Sequence, residues 1–553
     1  MPKWIFVLAI TIFMVPIFAK EMPLVNLPAQ PALETAAERS NYEKTSTYDE
    51  VMDFLFEAQK RSDKINIIRF ATSTEGRMIP LVIISSEGIK NPLELKLTSK
   101  PAVLLMANIH AGEVEGKEAL QMLIREIISG ADEGILDTQV ILALPIFNAD
   151  GNDKFGKNRH DIGPALAGVR FNGQQLDLNR DAIKLESPEM RALIKLFNEW
   201  DPVLFVDMHT TNGSYHQEPV TYSPQLCPNS DPQLVDYMWK KFLPTVTETL
   251  KKKYGYDSIP YGNFVDREQP EKGWEGDAYA ARYNTNYVGM RNRFSILDEN
   301  YSYADFKTRV MVSLSFVKSI LFYTRQNIRE MQKMVTAADI KTQTVYCKEN
   351  FALEYKVEKL MEFTIKSYVF EKEPIKPEDR NKYPPWVKDF IVKKTDVLKD
   401  YKVDYFAKPV PTRNISLPEA YIILPFHDEV IQALKNHGIA VERIRKPIQT
   451  TAENFVIEKL ELATQLFQGH VLLTVKGHYD EVEVTIPADS YFVSMKQPLA
   501  RLIPVMLEPE SEDSLINWGF FNREIVAQWT GRINLYPIYR FNKLNVLIER
   551  YQE

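Results

Sequence analysis

The chain has 553 residues, of which 45% are hydrophobic and 25% charged, with a formal net charge of −7 at pH 7. This is a globular composition, long enough for two or three domains, and it lacks the basic footprint that nucleic acid selects. Its two cysteines, Cys227 and Cys347, exclude a thiolate metal cluster and do not imply a disulfide.

In chain order, Lys3 precedes the apolar run WIFVLAITIFMVPIFA and the polar KEMP. That pattern predicts a signal peptide over residues 1–19, cut after Ala19, and an exported protein, periplasmic or extracellular. An uncleaved anchor is the alternative; nothing later reads as a membrane span. Residues 65–85 set two β-branched runs about Glu75-Gly76, a hairpin. PAVLLMANI (101–109) is apolar throughout, as a strand buried on both faces is. EGKEALQMLIREIISG then takes up helical spacing and closes at Gly130. VILALPIFN (140–148) is another buried strand, and SPEMRALIKLFNEW (187–200) a helix with Ser187 as N-cap and Pro188 first. PVLFVDMH (202–209) and RFSILDE (293–299) complete the set of strands.

Such alternation predicts an α/β fold over residues 40–336, with a mixed, mainly parallel sheet flanked by helices. After about residue 335 the character changes. EKEPIKPEDRNKYPP (371–385) has the proline and charge of a linker or surface loop, and residues 471–495 alternate with the period of antiparallel strands. One α/β element, EAYIILPFHDEVIQALKNHGI (419–439), sits among them. Residues 340–553 are therefore expected to form a separate accessory domain, mixed α/β and β-rich.

At the first buried strand's exit the chain reads HAGE. His110 ends a strand and Glu113 opens a helix, at the sheet edge where α/β proteins collect ligands. The small Ala111 and Gly112 let both side chains face one point. Imidazole and carboxylate both ligate zinc, and a catalytic zinc takes three protein ligands. His209, ending PVLFVDMH, is the candidate third. A second H-x-x-E, His478 to Glu481, lies in an alternating strand where residues three apart face opposite ways, and it reads as chance. LDLNRD (176–181) gathers Asp177, Asn179 and Arg180. Asp177 can accept a hydrogen bond from a ligand imidazole. Asn179 and Arg180 suit a substrate carboxylate, which guanidinium grips at two points; a surface salt-bridge loop is the plain alternative. Asp298 and Glu299 end another strand on opposite faces, so at most one of them enters a site.

Six segments in order resemble the zinc carboxypeptidases of the carboxypeptidase A type: STEGRMIPL (73–81), HAGE (110–113), NADG (148–151), DLNRD (177–181), VDMHTTNG (206–213) and LDENYSYADFKTRV (297–310). The resemblance implies that His110, Glu113 and His209 hold one zinc ion per chain, with Asp177 behind a ligand histidine. It implies Asn179 and Arg180 on the terminal carboxylate of a peptide substrate, and Glu299 as general base on a zinc-activated water, with Asp298 facing away. For the arginine that polarises the scissile carbonyl, GVRFNGQQLDLNRD favours Arg170, and Arg159 in KNRH is the alternative. The tyrosine that closes over substrate falls between 256 and 287, Tyr279 being one choice. Arg291 would alter substrate preference only if it entered the cleft. The function implied is a zinc-dependent metallocarboxypeptidase, with no nucleic-acid partner and no membrane contact after signal removal. A zinc amidase or deacylase on the same scaffold is the second reading, and an inactive binding homologue the third.

Overall fold

A computed structural model describes residues 32–552 apart from 132, 159–161, 384–386, 528–530, 533–534 and 543–548. The expected signal peptide and Arg159 lie outside the described residues. Glu34–Glu553 form one compact unit. Its first long helix, α1 (Tyr48–Arg61), starts at a reciprocal cap in which Thr47 and Glu50 satisfy each other's amides. The hairpin β1 (Ile65–Thr72) and β2 (Met78–Ile84) follows, then β3 (Ala102–Ala107), α2 (Glu115–Ile128), β4 (Val140–Leu144) and α3 (Pro188–Trp200). β5 (Leu204–Thr211), β6 (Val220–Pro224), β7 (Ser258–Pro260), the short helix α4 (Asn284–Met290) and β8 (Phe294–Tyr301) complete this half.

Among the described residues these strands form one eight-stranded sheet in the order β1-β2-β4-β3-β5-β8-β6-β7. The central four, β4-β3-β5-β8, are parallel. β3 and β4 are buried along their whole length, which is why their sequences carry no alternation. Helices pack on both faces of such a sheet, and the fold is the mixed α/β architecture that the periodicity predicts.

The chain then enters a 40-residue helix, α5 (Phe306–Val345), which runs straight through positions 336–340. Beyond it, β9 (Asn350–Pro374) and β10 (Phe390–Ser416) form one long antiparallel hairpin. The described part of the proline- and charge-rich stretch, residues 371–383, is the end of that hairpin and part of its connection, rather than a linker. Then come β11 (Ala420–Ile423), α6 (Asp428–Asn436), β12 (Glu442–Ile444), β13 (Ile448–Phe467), β14 (His470–Ile486), β15 (Tyr491–Ser494), β16 (Leu535–Phe541) and β17 (Arg550–Gln552). They form a second sheet in the order β14-β13-β16-β11-β15-β12-β17. Cys227 and Cys347 are free. No helix among the described residues is long and apolar enough to cross a membrane.

The β-rich half is joined to the α/β half by a shared core. One apolar cluster takes in Leu104 and Leu142 of the first sheet, Leu193 of α3, and Tyr421, Leu434 and Trp518 of the C-terminal region. Polar locks accompany it. Arg501 meets Asp231 at 3.1 Å, both nearly inaccessible. The His437 ring, fully buried after α6, donates from Nε2 to the Ile183 carbonyl at 2.9 Å and accepts the Tyr287 hydroxyl at Nδ1, 2.8 Å away. Burial lowers its pKa from 6.5 to about 4, and the neighbouring Arg291 adds to the effect.

A folded-state pKa below the unfolded value means that the unfolded chain binds the proton first. The lock's contribution is complete above pH 6.5 and is lost as pH falls towards 4, at a total of about 3 kcal/mol. Urea unfolding midpoints of the native chain are expected to fall across that window. His437→Gln, which still donates and accepts, should flatten this part of the pH profile; an unchanged profile would remove His437 as its source.

Candidate active site

Three side chains from two strand ends meet in one place. After β3, Asn108 takes a positive φ of +63° and ties its amide group to the Ala111 carbonyl at 3.2 Å, which turns the chain sharply out of the sheet. The Glu113 amide closes the turn on the His110 carbonyl at 2.8 Å. Gly112 is required there: a Cβ would lie 2.8 Å from the Gly168 carbonyl oxygen. His209 leaves β5 on the same side. His110 Nδ1 lies 3.0 Å from Glu113 Oε1, His209 Nδ1 lies 3.0 Å from Glu113 Oε2, and the two Nδ1 atoms are 3.2 Å apart. All three residues are at most 4% exposed.

The outer ring nitrogens explain the inner ones. His110 Nε2 donates to Asp177 Oδ1 at 3.0 Å. His209 Nε2 is 3.0 Å from Asp207 Oδ1, an ion-pair distance rather than an aligned hydrogen bond. Asp177 and Asp207 thus stand on the Nε2 side of the two rings, and both Nδ1 atoms face the Glu113 carboxylate. Two ring nitrogens and a carboxylate oxygen converge within 4.8 Å of one another, a donor set suited to zinc. Burial opposes positive charge at His209, yet Asp207 and Glu113 outweigh it and hold its pKa well above 6.5. The field at this point favours a cation.

The other predicted residues surround this group. The Asp177 carboxylate is depressed well below its usual range, because His110, Arg170 and Arg180 outweigh its desolvation. Arg170 donates from Nε to Asp177 Oδ2 at 2.8 Å and reaches Glu113 Oε1 at 3.4 Å. Asn179 sits in the short turn Leu178–Arg180 and accepts the Asn284 amide at 3.0 Å. The Arg180 guanidinium stacks 4.3 Å from the Tyr283 ring. Glu299 is the register partner of His209 on the parallel neighbour β8, so both leave the sheet on one face. Asp298 goes the other way, is fully buried, and accepts the Ser313 hydroxyl of α5 at 3.1 Å. Burial pushes its pKa up to about 8.

A cleft of about 170 Å³ brings His110, Glu113, His209, Arg170, Asn179, Arg180 and Glu299 together. Tyr261 and Tyr283 also line it. Tyr279 is not among the lining residues: its ring packs 5.5 Å from Tyr355 of β9. Arg291 bonds to the His437 carbonyl and to Asn198 instead of entering the cleft. The second H-x-x-E stays on β14, where His478 is half exposed and lies 3.0 Å from Glu458.

Sequence reasoning missed several supports. Asp207 stands two residues before His209 on the same strand face, a spacing that could have revealed it. Glu115 pairs with Arg309 of α5 at 2.6 Å and also accepts the Thr210 hydroxyl, beside the metal-ligand group. Asn108 gave no signal beyond asparagine's tolerance of positive φ.

Comparison with known proteins agrees with this geometry. Residues 51–333 match the family model of the zinc carboxypeptidases, peptidase M14. Carboxypeptidase 2 of Trichophyton equinum is 25% identical over 516 residues, covering 89% of this chain and 86% of that protein. Human carboxypeptidase D is 32% identical over 136 residues, 20% of this chain and 10% of that protein. A metallo-carboxypeptidase structure from Burkholderia cenocepacia is 16% identical with a TM-score of 0.39, covering 51% of this chain and 70% of that one. With the family match spanning half of the sequence and including His110, Glu113 and His209, the chain belongs to the zinc carboxypeptidase family of metallopeptidases.

Proposed function

We propose that this metallopeptidase, exported to the periplasm or out of the cell, removes the C-terminal residue of peptides, using one zinc ion per chain held by His110, Glu113 and His209. The observation that carries this reading is a single small cleft in which the converging Nδ1 and carboxylate donors share space with Arg180 and Asn179. Zinc bound there supplies Lewis acidity to the scissile carbonyl and makes water in the site more acidic.

The chain's own residues supply the remainder. Arg180 and Asn179 hold the terminal carboxylate, which sets the scissile bond one residue from the end. Glu299 takes a proton from the attacking water and passes it to the leaving amine. Arg170, partly exposed to the cleft and anchored by Asp177, stabilises negative charge developing on the carbonyl oxygen. Asp177 and Asp207 keep the two imidazoles turned inward.

The test compares matched peptides with free and amidated C-termini. A buried charge-assisted contact is worth about 2–3 kcal/mol, so the free acid should be cleaved about 10²-fold faster. Equal cleavage would overturn the carboxypeptidase reading in favour of an amidase. Metal analysis should find one zinc per chain, and His209→Ala should lose both zinc and turnover.

A further inference from the structure

The carboxylate end of the cleft is held from the far side of the sequence. β13 and β14 meet in a two-residue turn, Gln468-Gly469, with φ of +52° and +80°. Both signs are those that a tight hairpin needs. The turn lies against the catalytic half. The Asp177 amide donates to the Gln468 side-chain oxygen at 2.9 Å, and His470 Nε2 pairs with Glu186 at 2.5 Å.

Asp177 is the cap of the turn that presents Asn179 and Arg180, and its own carboxylate accepts the Asn179 amide at 3.0 Å. Across the cleft, Arg282 meets Asp513 at 2.8 Å, and its backbone amide donates to the same carboxylate. Phe467, next to Gln468, and Trp518 lie 5.5 and 5.4 Å from the Arg282 guanidinium. The following residue, Tyr283, stacks on Arg180. Thus the Arg180–Tyr283 pair is gripped from both sides by the C-terminal region.

We propose that Gln468 is a positioning residue for recognition of the substrate's terminal carboxylate. Through the Asp177 amide it fixes the height of the turn that carries Asn179 and Arg180. This rests on the carboxypeptidase reading above. Gln468 touches no substrate; it acts by keeping one backbone position. A hairpin that only stabilised the fold would leave substrate affinity alone.

The full-length chain, loaded with zinc, is compared with Gln468→Met, of equal length but lacking the acceptor, and Gln468→Glu, which keeps one. Loss of one neutral hydrogen bond corresponds to about 5-fold. Gln468→Met should raise KM for a free-acid peptide by that factor while kcat and cleavage of the matched amide stay nearly unchanged. Gln468→Glu should bring KM back towards the native value. Zinc retention against a competing chelator should be the same in all three. An unchanged KM with a lowered unfolding midpoint would reduce the hairpin to a stabilising element and overturn the proposal. So would zinc loss in Gln468→Met, which would place the effect on His110. Indifference of the native chain to amidation would instead overturn the function on which the proposal rests.

Discussion

Glu299→Gln is expected to lower kcat by about 10³-fold, within the range for losing a positioned general base, while the protein keeps its zinc. The separation follows from the geometry. The candidate metal ligands are His110, Glu113 and His209, whose donor atoms lie within 4.8 Å of one another, and Glu299 is not of that group. It reaches the cleft because β5 and β8 are parallel and in register, Glu299 against His209. The substitution conserves shape and hydrogen-bonding capacity but removes the basic oxygen, so KM should move little. Zinc analysis and steady-state kinetics on the same preparation read both quantities. A variant keeping a tenth or more of the native kcat would mean that another group takes the proton. Asp298 is no substitute, since it faces α5 and is largely protonated near neutrality.

Arg309→Met should destabilise the chain by about 3–5 kcal/mol, the range for breaking a buried ion pair from one side. The pair is inaccessible: Glu115 and Arg309 side chains are at most 1% exposed at 2.6 Å. Arg309 also donates to the carbonyls of Ile162, Gly163, Ser302 and Ala304. Methionine fills much of the volume but satisfies none of these oxygens, and it leaves the Glu115 carboxylate without its guanidinium. Glu115→Gln in the same background removes the stranded charge and should recover part of the loss. Urea unfolding of the native, single and double variants measures the coupling. Equal stability of Arg309→Met and the native chain would show that water reaches this site.

The segments that bring His110, Glu113 and His209 together were readable because strand ends carry compact chemistry. HAGE joins two candidate ligand side chains across two small residues, and PVLFVDMH ends a largely apolar strand in a histidine. The α/β half was readable for a related reason: buried parallel strands and amphipathic helices write unlike periodicities. Other features depend on contacts that local pattern cannot show. α5 carries the chain across a change of composition without interruption, so the compositional change leaves no mark in the backbone there. The charge-rich stretch at 371–385 resembles a linker, because a hairpin turn and a linker are solvated alike. Tyr261 and Tyr283 differ from Tyr279 only through the neighbours that fold around them. Gln468 has no local mark at all: 291 residues separate it from the amide it holds.

That separation has a consequence for biosynthesis. The candidate metal-ligand side chains and Arg180 leave the ribosome early, whereas Gln468 arrives with the last sixth of the chain. At about 5–20 residues per second, roughly 15–60 s pass between them. A growing polypeptide therefore carries the Asp177 turn without its Gln468 contact for about half of its synthesis, and a truncated product ending before the second sheet lacks that contact.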